Sequence, residues 1–262
     1  MRNGLSREEI EMNLSQKFPG HGSKDVLSNS IDLVVRLILM LDVGELRNAY
    51  SGRNRLIWKD GLLQDYVRHV FSDNVSLIHD GIKLGTMFTA RSLDQVAGFG
   101  VNLTTNLADH LRLRHEDRAV TIFHHASFLQ CQLQQSILSP ELVEETLNTL
   151  ALLFPVGDSG TKKWYHKQNE PEELDPGVLN CGRHRGDDYR QIGKYRFWHD
   201  RLVILKEAFD ESQPNNVSQL WNDRREGSQW YGLWVAIGIT LFFGLVQSIE
   251  GAMQVYKAYQ PS

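Results

Sequence analysis

The stretch Gly227 to Ile249, GSQWYGLWVAIGITLFFGLVQSI, decides how this chain is organised, because its 23 residues include no charged side chain. As a helix it measures about 35 Å, against about 30 Å of bilayer hydrocarbon. Leu233, Val235, Ile237, Ile239, Leu241, Phe242, Phe243, Leu245 and Val246 supply its apolar content. Together they favour insertion by on the order of 3–5 kcal/mol. Trp230, Tyr231 and Trp234 stand at one end, with Tyr256 and Tyr259 beyond the other. That placement predicts aromatic anchors at two membrane–water interfaces. A transmembrane helix over residues 230–249 is expected, because a buried core helix seldom stays uncharged for so long.

Residues 250–262 follow this segment. Translation would finish before such a helix had fully emerged, so a tail anchor is expected, with the body in the cytosol and the short tail across the membrane. Arg224 and Arg225 lie on the body side and Lys257 on the tail side, in weak agreement with the positive-inside rule. Gly232, Ala236, Thr240, Gly244, Ser248 and Ala252 recur at every fourth position. Small residues at this spacing let helix backbones approach closely in lipid, so a homodimer through the helix is an expected partner state. Gln247, Glu250 and Gln254 form a polar edge, with Glu250 a boundary charge at the interface.

The remaining sequence has the composition of a globular protein. Over 262 residues, 23% are charged and the formal net charge is −4. That excludes a polytopic membrane protein and argues against a nucleic-acid partner, which usually demands a strongly basic domain. Cys131 and Cys181 are the only cysteines. They cannot form a disulfide framework, and a reduced, cytosolic body is the simpler reading. Met1–Lys17 carries Arg2, Arg7, Glu8, Glu9 and Glu11 with no apolar core, so it is not a signal peptide. Asn-x-Ser/Thr triplets begin at Asn13, Asn74, Asn102 and Asn216. They would be glycosylated only in a secretory lumen, which makes them a topology test.

Residues 1–27 are expected to be poorly ordered, with Pro19, Gly20, Gly22 and scattered charges. A body over 28–212 follows, then a juxtamembrane helix or linker over 213–229. Ile31–Val43 suits a helix, with Asp32 and Arg36 one turn apart. Arg55–Trp58 suits a short strand, with Asp60 capping a helix through Leu63, Tyr66, Val67 and Val70. A similar unit lies 44 residues on: a strand at Val101–Leu103, a cap at Thr104 or Thr105, and a helix at Leu107–Leu113. Ala119–Phe123 is a compact apolar run of strand length. Ser139 and Pro140 announce a helix to Phe154. Residues 155–187 are rich in proline and glycine and predict loops, and Asp188–Asp210 predicts a long helix from Ile192, Tyr195, Trp198, Leu202, Leu205 and Phe209. Asn216 and Gln219 suggest a helix restart after Pro214. The fold class expected is a helix-rich α+β or mixed α/β soluble body with one C-terminal transmembrane helix.

The catalytic candidates are weak. His124 and His125, with Asp109 and His110, form the most suggestive polar set. Cys181-x-x-His184 is half a zinc pattern, but no second pair of ligands completes it. Adjacent histidines also point different ways on a strand or helix. A structural role is therefore expected, with no metal and no cofactor. Gly157-Asp158-Ser159-Gly160 and Gly160-Thr161-Lys162 lack the context of a nucleophile elbow and the spacing of a phosphate loop, and are expected to be surface turns. Arg183, Arg185, Arg190, Lys194, Arg196, Arg201 and Lys206 make a basic stretch that suits either a solvated helix face or an anionic lipid surface.

Asn106–Leu113 (NLADHLRL), Ile122–Leu129 (IFHHASFL), Phe197–Leu205 (FWHDRLVIL) and Phe243–Ala252 (FGLVQSIEGA) resemble stretches of an uncharacterised family of single-pass membrane proteins from filamentous ascomycete fungi. The resemblance runs from about residue 28 to the C-terminus. It implies a fungal source and one membrane helix, and it transfers no catalytic residue. The function expected is that of a tail-anchored interaction or scaffold protein with a lipid bilayer and an unknown protein as partners. The alternative is a membrane-tethered enzyme, or an accessory factor of a fungal biosynthetic gene cluster. An oligomeric pore is the least fitting, since one helix per chain brings no charged ring to a pore lining.

Overall fold

The computed structural model describes residues 4–18, 24–45, 55–72, 81–114, 118–134, 137–168, 174–182, 187–212 and 227–259. The chain divides into two units, Met1–Gln213 and Pro214–Ser262. The first is a helix-rich α+β body and the second carries one long apolar helix.

The body is built around one helix and one strand. Helix α6 (Pro140–Leu153) begins as its sequence demands: the Ser139 hydroxyl accepts from the Leu142 N–H at 3.2 Å, and Pro140 fills the first turn. Ten of its 14 residues are buried, so it runs through the core and is not a surface element. The central strand, β3 (Ala119–Phe123), is buried at all five positions. It pairs in parallel with β1 (Gly100–Thr104) and antiparallel with β2 (Arg112–Arg114), giving a sheet of order β1-β3-β2. Burial on both faces explains why β3 lacks alternation.

Around these lie α1 (Arg7–Lys17), α2 (Lys24–Leu39), α3 (Leu63–Val70), α4 (Ala90–Gln95), α5 (Ala126–Gln132), α7 (Ser159–Tyr165) and α8 (His199–Glu211), with short 3₁₀ turns at Leu107–Asp109, Pro176–Asn180, Asp187–Arg190 and Ile192–Lys194. One core joins them, from Ile31 on α2 to Phe209 on α8.

Several expectations are corrected. The described part of segment 1–27 carries helix α1. Ser6 and Glu9 form a reciprocal capping box that starts α1, and Arg7 is buried against the Asp32 carboxylate at 2.7 Å. Helix α2 ends at Leu39, not Val43, because Met40 turns to φ +49° and its carbonyl accepts from the Leu107 N–H at 2.8 Å. Arg55–Trp58 forms no strand, and Leu56 makes a single parallel bridge with Val43. Asp60 does not cap α3, since Gly61 at φ +75° turns the chain between them and Leu62 occupies the cap position.

The duplication of 55–70 at 101–113 does not hold either, because only one 3₁₀ turn follows β1 before the chain extends into β2. The loop-rich stretch 155–187 contains α7, capped by Asp158. The long helix over 188–210 is broken. Backbone groups of Arg190 and Ile192 pair with Leu84 and Ile82, which leaves two 3₁₀ turns before α8.

The second unit's helix, α9, spans Gly227–Tyr259, and its apolar segment Trp230–Tyr256 has no buried side chain. It is the one helix among the described residues long and apolar enough to cross a membrane. It continues beyond the expected boundary at residue 249 because Ala252, Met253 and Gln254 are good helix formers. The restart at Asn216 and Gln219 lies outside the described residues.

Candidate functional site

The turn between β1 and β2 carries two of the four candidate residues, Asp109 and His110, and they face different surroundings. Asn106 organises the turn. Its side-chain carbonyl accepts from the N–H of Ala108 at 3.3 Å and of Asp42 at 3.2 Å, and its amide donates to Asp109 at 2.9 Å. Arg112 donates to the other Asp109 oxygen at 3.4 Å. From α8, Arg201 donates to the carbonyl of Ala108 at 2.9 Å and to that of His110. Its guanidinium lies over the Trp198 ring, 5.1 Å from the centroid. Those two bonds hold the carbonyls on either side of the turn while Leu111, itself buried, sits at φ +57°.

Asp42, Asn106, Asp109, Arg112 and Arg201 open on a cavity of about 370 Å³, closed on its apolar side by Leu56 and Phe71. Burial, then the nearby Arg112, push the Arg201 pKa down, while Asp109 opposes them. Two carboxylates and two guanidiniums share this space, so no single sign of charge is concentrated for a lone anion or cation.

Behind the cavity His110 is fully buried. Its Nδ1 accepts from the Phe123 N–H at 3.1 Å. The proton therefore sits on Nε2, which donates to the Thr149 hydroxyl at 2.6 Å. Thr149 in turn donates to the Thr146 carbonyl, and the Trp198 indole donates to the Thr146 hydroxyl at 2.9 Å. The His110 and Trp198 rings meet edge to face at 4.9 Å. Burial and, secondarily, Arg201 push the His110 pKa down to about 3. A neutral imidazole with both nitrogens engaged is a core tie between β3, α6 and α8, not a general base.

His124 and His125 are placed elsewhere, at the joint between β3 and α5. His124 is buried and its Nδ1 donates to the Thr104 carbonyl at 3.1 Å, which fastens the end of β1. His125 precedes α5 with φ −95° and ψ 74°, which breaks the strand alternation. The two rings do not point apart as alternation predicts but lie 4.2 Å apart, and His125 also meets Phe123 at 5.6 Å. Burial, then His124, push the His125 pKa down, and Asp175 pushes it up. Its Nε2 is buried with no hydrogen-bond partner in the structure.

Among the described residues no group of three His, Cys, Asp or Glu side chains is arranged to hold a metal ion. The Cys181 thiol points to the Gly177 carbonyl at 3.5 Å, and His184 lies outside the described residues. Of the two expected surface turns, Gly157 does turn the chain at φ +90°, but Ser159–Lys162 opens α7: Asp158 accepts from the Gly160 N–H at 2.9 Å and from the Thr161 hydroxyl at 2.6 Å. The basic stretch is not one face. Arg201 turns inward, Arg190 donates to the Gly85 carbonyl, and Lys206 pairs with Asp210. Arg183 and Arg185 lie outside the described residues.

Three residues of this region escape sequence reasoning. Glu145 accepts from the N–H groups of Trp198 and Arg196 at 2.7 and 2.9 Å and so satisfies the start of α8. Arg201 and Trp198 complete the network. The signal in the sequence is that Glu145, Thr146 and Thr149 add to the polar residues of a helix whose buried positions are otherwise apolar. Polar side chains at core positions need partners.

In α9 the membrane-interface candidates Trp230, Tyr231 and Trp234 cluster, with ring centroids 5.0 and 6.2 Å apart, and Tyr256 is exposed near the other end. Along the expected packing stripe, the Thr240 and Ser248 hydroxyls donate to the carbonyls of Ala236 and Gly244, each at 2.8 Å. A side chain added at Gly232 or Gly244 would meet nothing within 4 Å, so the stripe is open.

The chain matches no known family model, no curated protein and no solved structure. What the fold defines is a class: a helix-rich body with a single C-terminal helix able to cross a membrane.

Proposed function

We propose that this chain is a tail-anchored, single-pass membrane protein whose cytosolic body serves as an interaction or scaffold module. The observation that carries this reading is α9, which exposes 27 apolar-rich residues from Trp230 to Tyr256 with none of them buried. In water such a surface would drive aggregation, whereas in hydrocarbon it is satisfied. The body has its own core, and among the described residues no buried core residue lies beyond Phe209. Neither Cys131 nor Cys181 is in a disulfide, which suits a reducing compartment. The charges around the 370 Å³ cavity are paired and both His110 nitrogens are engaged, so that region offers no general base and weighs against the enzymatic alternative.

The test is removal of Trp230–Ser262. The truncated body should appear in the soluble fraction while the full chain floats with lipid. A truncation that still co-fractionates with membranes refutes a single anchor. A second reading, a membrane-tethered enzyme, rests on the unpartnered Nε2 of His125. Loss of cellular function in His125→Ala with unchanged thermal stability would favour it over the scaffold.

A further inference from the structure

Helix α2 is apolar on two sides. Ile31, Val35 and Leu39 point into the core. Val26, Leu33, Val34, Leu37 and Ile38 point outward and are 38–70% exposed. At about 100° per residue these five occupy an arc of roughly 140°. Ser30 lies within the arc, and its hydroxyl is already spent on the Val26 carbonyl at 2.7 Å. The outward face therefore offers no charge and no free hydrogen-bonding group. The polar strip of the helix, Asp25, Asn29 and Arg36, lies to one side of it.

We infer that this face of α2 lies in the surface of the same bilayer that α9 spans, as an interfacial helix. The inference rests on the membrane reading above. Three observations favour lipid over other occupants. The face makes no polar demand, which suits acyl chains and not a hydrogen-bonded partner. The five side chains present on the order of 500 Å², short of the about 800 Å² per partner that a stable protein dimer uses. Finally, only residues 213–226 separate the described end of the body at Ser212 from Gly227. That is at most about 50 Å of extended chain, so a bilayer holding α9 is always within reach of the body.

The experiment uses the full chain reconstituted in phosphatidylcholine–phosphatidylglycerol vesicles. Cys131→Ser removes the exposed thiol, and Ser30→Cys carries an environment-sensitive fluorophore at the centre of the face without altering its aliphatic residues. Lys163→Cys, exposed on α7, is the reference position. Lipids with nitroxide-labelled acyl chains should quench position 30 at least twofold more than position 163. Leu33→Gln with Leu37→Gln, both exposed and so harmless to the core, should remove the difference. Equal quenching at 30 and 163 in chains that float overturns the inference and leaves the anchor intact. A disulfide between two unlabelled Ser30→Cys chains, with no quenching in the labelled ones, also overturns it, in favour of a second copy. Chains that do not float refute the anchor, and the inference falls with it.

Discussion

His110 illustrates how one side chain can carry both stability and a pH dependence. Unfolded, its imidazole takes a proton near pH 6.5, whereas folded it resists protonation down to about pH 3. Between those values only the unfolded chain binds the proton, so acidification favours unfolding. The expected loss is about 1.4 kcal/mol per pH unit below 6.5, or about 3 kcal/mol by pH 4.5. Urea titrations of the truncated body from pH 7 to 4.5 should show this slope, and His110→Gln should be less stable at pH 7 yet flatter with pH. An unchanged slope in the variant would assign the acid sensitivity to other groups. Arg201 is expected to be equally unforgiving. Arg201→Lys keeps the charge but loses the planar fork that reaches two carbonyls over the Trp198 ring. It should cost about 2 kcal/mol in the same titration. The sequence points to a structural role for His110 but not to its partners, and Arg201 reads there only as part of a basic stretch, because the burial of both is set by distant elements.

Helix α1 shows the same point for an element. Its sequence is mostly polar, and only Arg7 is buried. Arg7 donates to Asp32 at 2.7 Å and to the Ser28 hydroxyl at 2.7 Å, and it lies over the Trp58 ring at 5.3 Å. Removing Asp32 leaves the buried Arg7 charge only the half-buried Glu11 at 3.3 Å, so Asp32→Ala should cost about 3 kcal/mol, while Asp32→Leu combined with Arg7→Met should cost clearly less. Equal losses would mean that the pair acts by packing alone. For α9 the expectation concerns association. Gly244→Leu with Ser248→Leu fills the open small-residue stripe and should weaken any self-association in detergent several-fold, by about 1 kcal/mol or more. A dimer content equal to wild type would remove the stripe as an interface. Helices α6 and α9 and strand β3 were legible in the sequence because each has an uninterrupted signal of its own: a serine–proline cap, an uncharged run, a short apolar block. Helix α1 and the broken segment 187–211 were not, because a capping box among polar residues and pairing with distant backbone groups leave no periodic trace.

On the largest scale, the chain is a helix-rich α+β body followed by one helix that is, among the described residues, long and apolar enough to cross a membrane. Exposed Asn13 and Asn102 report which side of the membrane the body occupies. Glycosidase treatment of the protein from its native cells should leave its mobility unchanged, and a shift would place the body in a lumen. The existence of α9, and the division of the chain into an α+β body and an apolar helix, follow from composition and run length, because transfer of a segment into lipid is a sum over its own residues and needs no partner. The separation of Asp109, His110, His124 and His125 into a cavity wall, a core tie and a strand-to-helix joint was decided only in three dimensions. So were the burial of Arg201 and the outward apolar face of α2. In each case the environment of the group is set by residues tens of positions away, and desolvation, charge pairing and exposure are properties of that environment and not of the local sequence.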